Sequence, residues 1–223
     1  MFFNPFGFLF FLLFFLSIIF VIAFIHIGLI TIAFERLGLS ESQAFGFLIL
    51  SLLGSSVNIP IKKIEIPSFG PMEEKVRFFG MVYNVPKRLN NQMVIAINLG
   101  GAIVPFVLSC YLMWRNGLFF EPIVAALAVA GLTYFFAKPV PGVGIAMPML
   151  IPPLIAAIVV FILGPVRHGP AIAYIAATMG TLLGADIFHL KDIKKIQAPL
   201  VSIGGAGTFD GIFLAGIIAV LLA

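Results

Sequence analysis

Two acidic residues lie inside apolar stretches near the end of the chain: Asp186 in GTLLGADIFHL, and Asp210 in SIGGAGTFDGIFLAGIIAVLLA. A carboxylate in or near hydrocarbon is costly unless it finds a partner, a proton or a water-filled cavity, so two of them on adjacent segments are the first place to look for chemistry. Brought to a common depth they would share a proton, because adjacent carboxylates in a low dielectric do not both ionise readily. That is the physical basis of an aspartyl dyad, in which the pair activates a water for amide hydrolysis. Gly204, Gly205, Ala206 and Gly207 stand between them with almost no side chain. They permit close packing or the direct approach of an extended substrate backbone. On this reading Asp186 and Asp210 are catalytic, and Gly204, Gly205, Gly207 and Asn58 are the substrate-binding candidates.

Other chemistries fit the same residues. Asp186 and His189 are spaced i,i+3, so they share a helix face, and with Asp210 they would offer oxygen and nitrogen ligands to a divalent metal. No HExxH or repeated carboxylate pattern accompanies them. If Gly204 to Gly207 break the last helix, Asp210 would cap a half-helix beside an ion or solute pathway. In a purely structural role Asp186 would pair with Lys191 or a backbone group, and Asp210 would join a buried network. Asn58 has two readings as well: hydrogen-bonding a buried carboxylate, or capping the helix end before Pro60. His26, alone in the first apolar run, reads as hydrogen-bonded within a bundle.

What must position these residues is a membrane bundle. The chain of 223 residues is 61% hydrophobic and 10% charged, with 25 Phe. Its mean hydropathy is +1.18. So few charges cannot keep such a chain in water, which makes it a polytopic membrane protein. At roughly 20 residues per span there is room for about seven helices and one short excursion, all in one bundle over 1–223. The apolar runs are 2–34, 44–59, 93–114, 119–137, 147–164, 170–188 and about 200–223. The first lacks the basic opening of a cleaved signal, so a retained helix is expected there. Residues 61–92 are the polar excursion. IKKIEI alternates, PSFGPMEE supplies turn residues and VRFFGMVYNV is β-rich, which predicts a small cytoplasmic β-hairpin pairing the first stretch with the last.

With the loops assigned alternately, Lys62, Lys63, Lys75, Arg77, Lys87, Arg88, Lys138, Lys191, Lys194 and Lys195 fall on one side, against Arg36, Arg115 and Arg167 on the other. The excess of basic residues puts the amino terminus in the cytoplasm and the carboxyl terminus outside a cell membrane. No basic cluster is interleaved with stacking aromatics, so the expected partners are membrane lipids and a transmembrane peptide, with no nucleic acid. Cys110 is the single cysteine. One thiol builds neither a disulfide framework nor a thiolate metal site. There is no phosphate loop, nucleophile elbow or cofactor fingerprint, so no cofactor is expected.

SIGGAGTFDGIFLAGIIAVLLA, together with GADIFHL, resembles the ending of an uncharacterised family of prokaryotic integral membrane proteins, a likeness that extends over most of the chain and implies no particular activity. Over residues 180–213, aspartates on consecutive glycine-rich spans resemble the GxGD-type intramembrane aspartyl proteases, the presenilin and prepilin-peptidase class. That resemblance implies Asp186 and Asp210 as the catalytic pair. Leu183 stands where the first motif would have its glycine, and Asp210 follows Thr208-Phe209, so neither segment is GxGD. Ala198-Pro199-Leu200 is a permutation of the Pro-Ala-Leu motif of that class and precedes the last run instead of following it.

Overall fold

The computed structural model describes residues 15–19, 27–65, 75–78, 81–84, 92–142, 144–163, 168–196, 198–205 and 211–223, with 75–78 and 81–84 as backbone alone. His26, Gly207 and Asp210 lie outside the described residues, as does most of the run 2–34. Helix α1 (Ile27–Arg36) meets α2 (Glu41–Gly54) at 119°. The corner is built by Gly38 at φ 72°, a conformation that glycine adopts without strain. Ser40 then starts α2 with a reciprocal cap, its hydroxyl accepting the Gln43 N–H and the Gln43 side chain accepting its own.

Strand β1 (Asn58–Glu65) follows, then a two-stranded hairpin of β2 (Lys75–Phe78) and β3 (Met81–Asn84), and β4 (Gln92–Asn98). A π turn (Leu99–Ile103) leads β4 into α3 (Val104–Asn116), which ends at Gly117 in the left-handed conformation (φ 63°). Helix α4 (Phe120–Phe136), the short hairpin β5 (Lys138–Val140) and β6 (Gly144–Ala146), and α5 (Ile151–Ile162) come next. Helix α6 (Gly169–Thr181) continues as a second π turn (Leu182–Ile187) and a 3-10 helix (Leu190–Lys195). The chain closes with β7 (Leu200–Ile203) and α7 (Gly211–Leu222).

The protein is thus predominantly helical with a small sheet. Helix α6 is its centre, buried from Ala171 to Thr178 and packed against α3, α4, α5 and α7. Tyr174, Phe34, Leu112, Phe213 and Ile217 fill one side of it, and Val129, Ala156, Ala173, Ala177 and Ala215 the other. The interior is rich in small and hydroxyl side chains, among them Ser51, Ser109, Thr133, Thr178 and Thr181. The outward faces carry large apolar ones, including Phe45, Phe120, Phe135, Phe161 and Ile162.

Several expectations are corrected here. The run 93–114 is helical only in its second part, because Gln92–Asn98 is the central strand of a three-stranded sheet ordered β1-β4-β7. The last run likewise opens as a strand, with Leu200–Ile203 pairing parallel to Val94–Ile97. An apolar stretch buried on both faces has no period that separates strand from helix, and the β-branched residues of MVIAI and LVSI favour the strand. The run 44–59 ends as helix at Gly54, and Asn58, Ile59 and Pro60 belong to β1. The expected hairpin has other partners: β1 pairs antiparallel with β4, from Asn58↔Asn98 to Glu65↔Gln92, whereas the aromatic stretch folds on itself as β2 and β3.

Among the described residues one helix, Gly169–Ile187, is long and apolar enough to cross a membrane, and α1 with α2 qualify only as a bent pair. Helices α4, α5 and α7 are apolar but shorter, and seven full-length helical spans are not found among the described residues. Pro152 and Pro153 sit in the first turn of α5, where they begin a helix.

Candidate functional site

Asp186 is placed by a glycine pair and a widened turn. Gly180 on α6 and Gly184 in the π turn that continues it lie four apart, on the side that meets α4. A Cβ on Gly180 would come within 2.5 Å of the Val129 Cβ and 2.9 Å of the Ala126 carbonyl oxygen, and one on Gly184 would overlap Thr133 Oγ1 and the Ala130 carbonyl oxygen. The helices therefore touch backbone to backbone, as small residues permit. Thr133 Oγ1 donates to the Ala130 carbonyl at 3.1 Å and, across the contact, to that of Gly180 at 3.3 Å.

Beyond Thr181 the helix opens into the π turn, closed by the Phe188 N–H on the Leu183 carbonyl at 2.9 Å. The extra residue rotates the downstream side chains by about 100° relative to a continued α-helix, and such turns recur at functional sites. The buried His189 side chain closes the next position, its Nδ1 donating to the Gly184 carbonyl at 3.1 Å. A carbonyl only accepts, so this bond puts the proton on Nδ1. The imidazole also lies on the Tyr134 ring, with centroids 4.6 Å apart. His189 therefore orders the turn that carries Asp186.

The half-buried Asp186 carboxylate accepts the Gly204 N–H at 2.7 Å. Which edge of the sheet this is follows from the ladder. The Val94 N–H donates to the Pro199 carbonyl at 3.0 Å, and Val94 pairs with Leu200 in parallel register. A parallel strand uses alternate residues, so Val201 and Ile203 turn their backbone groups toward β4, while Leu200, Ser202 and Gly204 turn theirs outward. Asp186 thus sits on the outer edge of β7, at the point where the strand ends. Gly204 and Gly205 follow with φ 82° and 88°. A Cβ on Gly204 would lie 2.5 Å from the Ala102 Cβ and 2.6 Å from the Ala102 nitrogen, so the turn after β7 rests on the turn after β4.

One face of the sheet carries a buried polar network. Asn98 Nδ2 donates to the Ser55 carbonyl at 2.7 Å and to Asn58 Oδ1 at 3.0 Å, and Asn98 Oδ1 accepts the Gly101 N–H at 2.7 Å. Ser202 Oγ donates to Asn58 Oδ1 at 2.6 Å. The predicted substrate ligand Asn58 is therefore held within the sheet, and Asn98, not Asn58, satisfies the carbonyl at the end of α2. The opposite face, through Met93 and Val201, packs on Ile193 of the 3-10 helix and on Ile196, which caps it.

Of the sequence-predicted site residues, the structure brings together Asp186, Gly204 and, through the turn, His189. Asp210 and Gly207 lie outside the described residues, in the segment between Gly205 and the start of α7. Gly205 follows the Asp186 contact directly. The Asp186–Gly204 bond is a backbone partner of the kind a structural carboxylate takes, whereas Lys191 lies with its Nζ 5.5 Å from the Tyr134 ring centroid. No group of three or more metal-ligating side chains occurs among the described residues. Asn98, Ser202 and Tyr134 were missed. For the two strand-end residues the sequence held one signal, a repeat of Gly-Gly-Ala after the strand in Ile97-Asn98-Leu99-Gly100-Gly101-Ala102 and Ile203-Gly204-Gly205-Ala206, and it held none for Tyr134.

A family model described as protein of unknown function (DUF1614) matches residues 52–222. The chain belongs to this DUF1614 family. The match runs from the end of α2 through the whole sheet and the Asp186 turn to the end of α7, so the site is built from residues of the family domain. No curated protein and no solved structure matches the chain.

Proposed function

We propose that this DUF1614 protein is a multi-pass membrane protein, with its amino terminus in the cytoplasm, that hydrolyses a peptide bond with Asp186 and Asp210. The observation that carries the reading is the Asp186 carboxylate on the outer edge of β7. An extended peptide laid along that edge would hydrogen-bond the outward backbone groups of Leu200 and Ser202 and arrive at the carboxylate. The reading requires the Asp210 carboxylate to reach the same end of the strand. One aspartate, ionised, takes a proton from water while the other, protonated, donates to the scissile carbonyl. The water oxygen adds to the carbonyl carbon, the C–N bond breaks, and the leaving amine receives the proton.

Membrane embedding is supported by the apolar exterior and by the interior of small and hydroxyl side chains. Strands β4 and β7 fit such a bundle because irregular backbone at membrane depth is tolerated where protein covers it or water lines it. The test is cleavage of a fluorogenic helical membrane peptide by the purified protein. Asp186→Ala and Asp210→Ala must each abolish cleavage while leaving the protein folded, and cleavage retained by either variant would mean that the pair is not the catalyst.

A second reading, ion or solute transport, is favoured by a different observation. The stretches 92–116 and 200–222 both combine a strand with a short helix, the kind of interrupted element that forms binding sites in transporters. Reconstituted protein would then move protons or a small solute, and Asp210→Asn would alter coupling to protons. Flux indifferent to that substitution counts against transport.

A further inference from the structure

The end of the protein where α4 gives way to β5 stacks aromatic side chains beneath basic ones. Tyr134 makes ring contacts with Phe135 and Phe188 at 5.8 Å and 6.3 Å, and Phe135 and Phe188 are both exposed. Beyond them lie Lys191, Lys194 and Lys195 on the 3-10 helix and Lys138 on β5, which packs against that helix. The Gly142 N–H on the Ile196 carbonyl ties the β5–β6 turn to the same helix. Lys195 is paired with Asp192 at 2.7 Å. Asp192 also attracts Lys191 through space, but among the described residues its one direct ion pair is with Lys195, and Lys138, Lys191 and Lys194 make no ion pair. Lys191 is held over the Tyr134 ring, a cation–π placement that orders it. Tyr134, chiefly by hydrogen bonding, also raises the Lys191 ammonium above its ordinary pKa, so the group stays charged.

We propose that this corner binds an anionic phospholipid, with the headgroup phosphate on Lys191 and Lys194, Lys138 flanking, and the acyl chains along Phe135 and Phe188. Aromatic side chains at the water–hydrocarbon boundary with lysines just outside them match the two halves of such a lipid. Each lysine near an anionic bilayer surface is worth about 1 kcal/mol. A soluble phosphate would use the lysines and leave the exposed rings uncovered, which is why the occupant is a lipid. The inference rests on the membrane embedding proposed above and is independent of hydrolysis.

The full chain carries a single tryptophan, Trp114. Trp114→Phe with Phe135→Trp moves the only indole to this corner. In phosphatidylcholine bilayers containing equal small fractions of brominated phosphatidylglycerol or brominated phosphatidylcholine, the anionic lipid should quench with an apparent affinity roughly tenfold higher, the effect of one to two interfacial lysines. Lys191→Gln with Lys194→Gln should bring the two lipids level, and Lys62→Gln with Lys63→Gln, on β1, should change nothing. Should the glutamine pair fail to fold, Lys191→Arg with Lys194→Arg must keep the preference, and loss of it overturns the site. Equal quenching in the starting protein, a preference surviving the glutamine pair, or displacement by inorganic phosphate at matched ionic strength each overturns it too. Release of the protein from membranes by alkaline carbonate would overturn the embedding instead, so the two failures are distinguishable.

Discussion

Asp186 accepts the Gly204 N–H at 2.7 Å, which fixes a carboxylate from the turn after α6 on the outward edge of β7. The bond separates folding from chemistry. Asp186→Asn keeps an oxygen acceptor for Gly204 and should fold with a loss of about 1 kcal/mol, the difference between a charged and a neutral acceptor. Asp186→Ala leaves a largely buried N–H unpaired and should cost about 1–3 kcal/mol. On the hydrolase reading both lose peptide cleavage by several orders of magnitude. Thermal unfolding in detergent measured beside cleavage tests the split, and an Asn variant that cleaves at the native rate refutes the catalytic role.

The α4–α6 contact should discriminate sharply between two glycines. Gly184→Ala drives a methyl into Thr133 Oγ1 and the Ala130 carbonyl, backbone that cannot give way, and should destabilise by about 3 kcal/mol. Gly131→Ala, within α4, meets nothing within 4 Å and should be neutral or stabilise by up to about 1 kcal/mol through helix propensity. Equal unfolding midpoints for the two variants would show that the helices do not depend on this close approach.

The same pair of helices shows what the sequence could and could not say. The run 119–137 is the helix Phe120–Phe136 almost to the residue, because it is apolar without interruption and closes before Lys138-Pro139. The glycines around Asp186 and Asp210 marked close backbone approach, and Gly204 does lie against Ala102. The strands hidden in 93–114 and 200–223 were not legible, since hydropathy alone does not divide a buried strand from a buried helix. IKKIEI read as a strand and is one, but its partner Gln92–Asn98 sits beyond the whole excursion, and alternation names no partner. Asp186 could be singled out by its cost in an apolar setting. Its partner could not, because a backbone N–H has no residue type to recognise.

Asn98 should be among the least replaceable side chains outside the acidic pair. It is 1% exposed, and its amide joins the end of α2, β1 and the turn after β4. Asn98→Ala strands the Ser55 carbonyl and the Gly101 N–H and should cost about 2–4 kcal/mol. Asn98→Asp keeps the shape and the bond from Gly101 but has no N–H for Ser55 or Asn58, so it should be nearly as damaging at neutral pH. Ser202→Ala removes one donor from Asn58 and should cost about 1 kcal/mol. A double-mutant cycle between Asn98 and Ser202 should show coupling through Asn58, and strict additivity would place them in separate structures.

His189 offers the last discrimination, between a residue that positions the π turn and one that binds a metal. Its Nδ1 is engaged by the Gly184 carbonyl and its ring by Tyr134. A positioning role needs a planar donor at that place, whereas a metal ligand needs an imidazole lone pair. Asparagine can donate to the carbonyl but is a poor transition-metal ligand. His189→Asn should therefore keep most of whatever activity the Asp186 site supports, with stability reduced by about 1–2 kcal/mol for the lost ring packing. His189→Ala, which leaves the Gly184 carbonyl unpaired as well, should lower both further. Activity measured for both variants with and without a chelator separates the two roles. Preserved, chelator-insensitive activity in His189→Asn supports positioning, whereas loss in both variants together with chelator sensitivity in the parent protein would assign His189 to a metal.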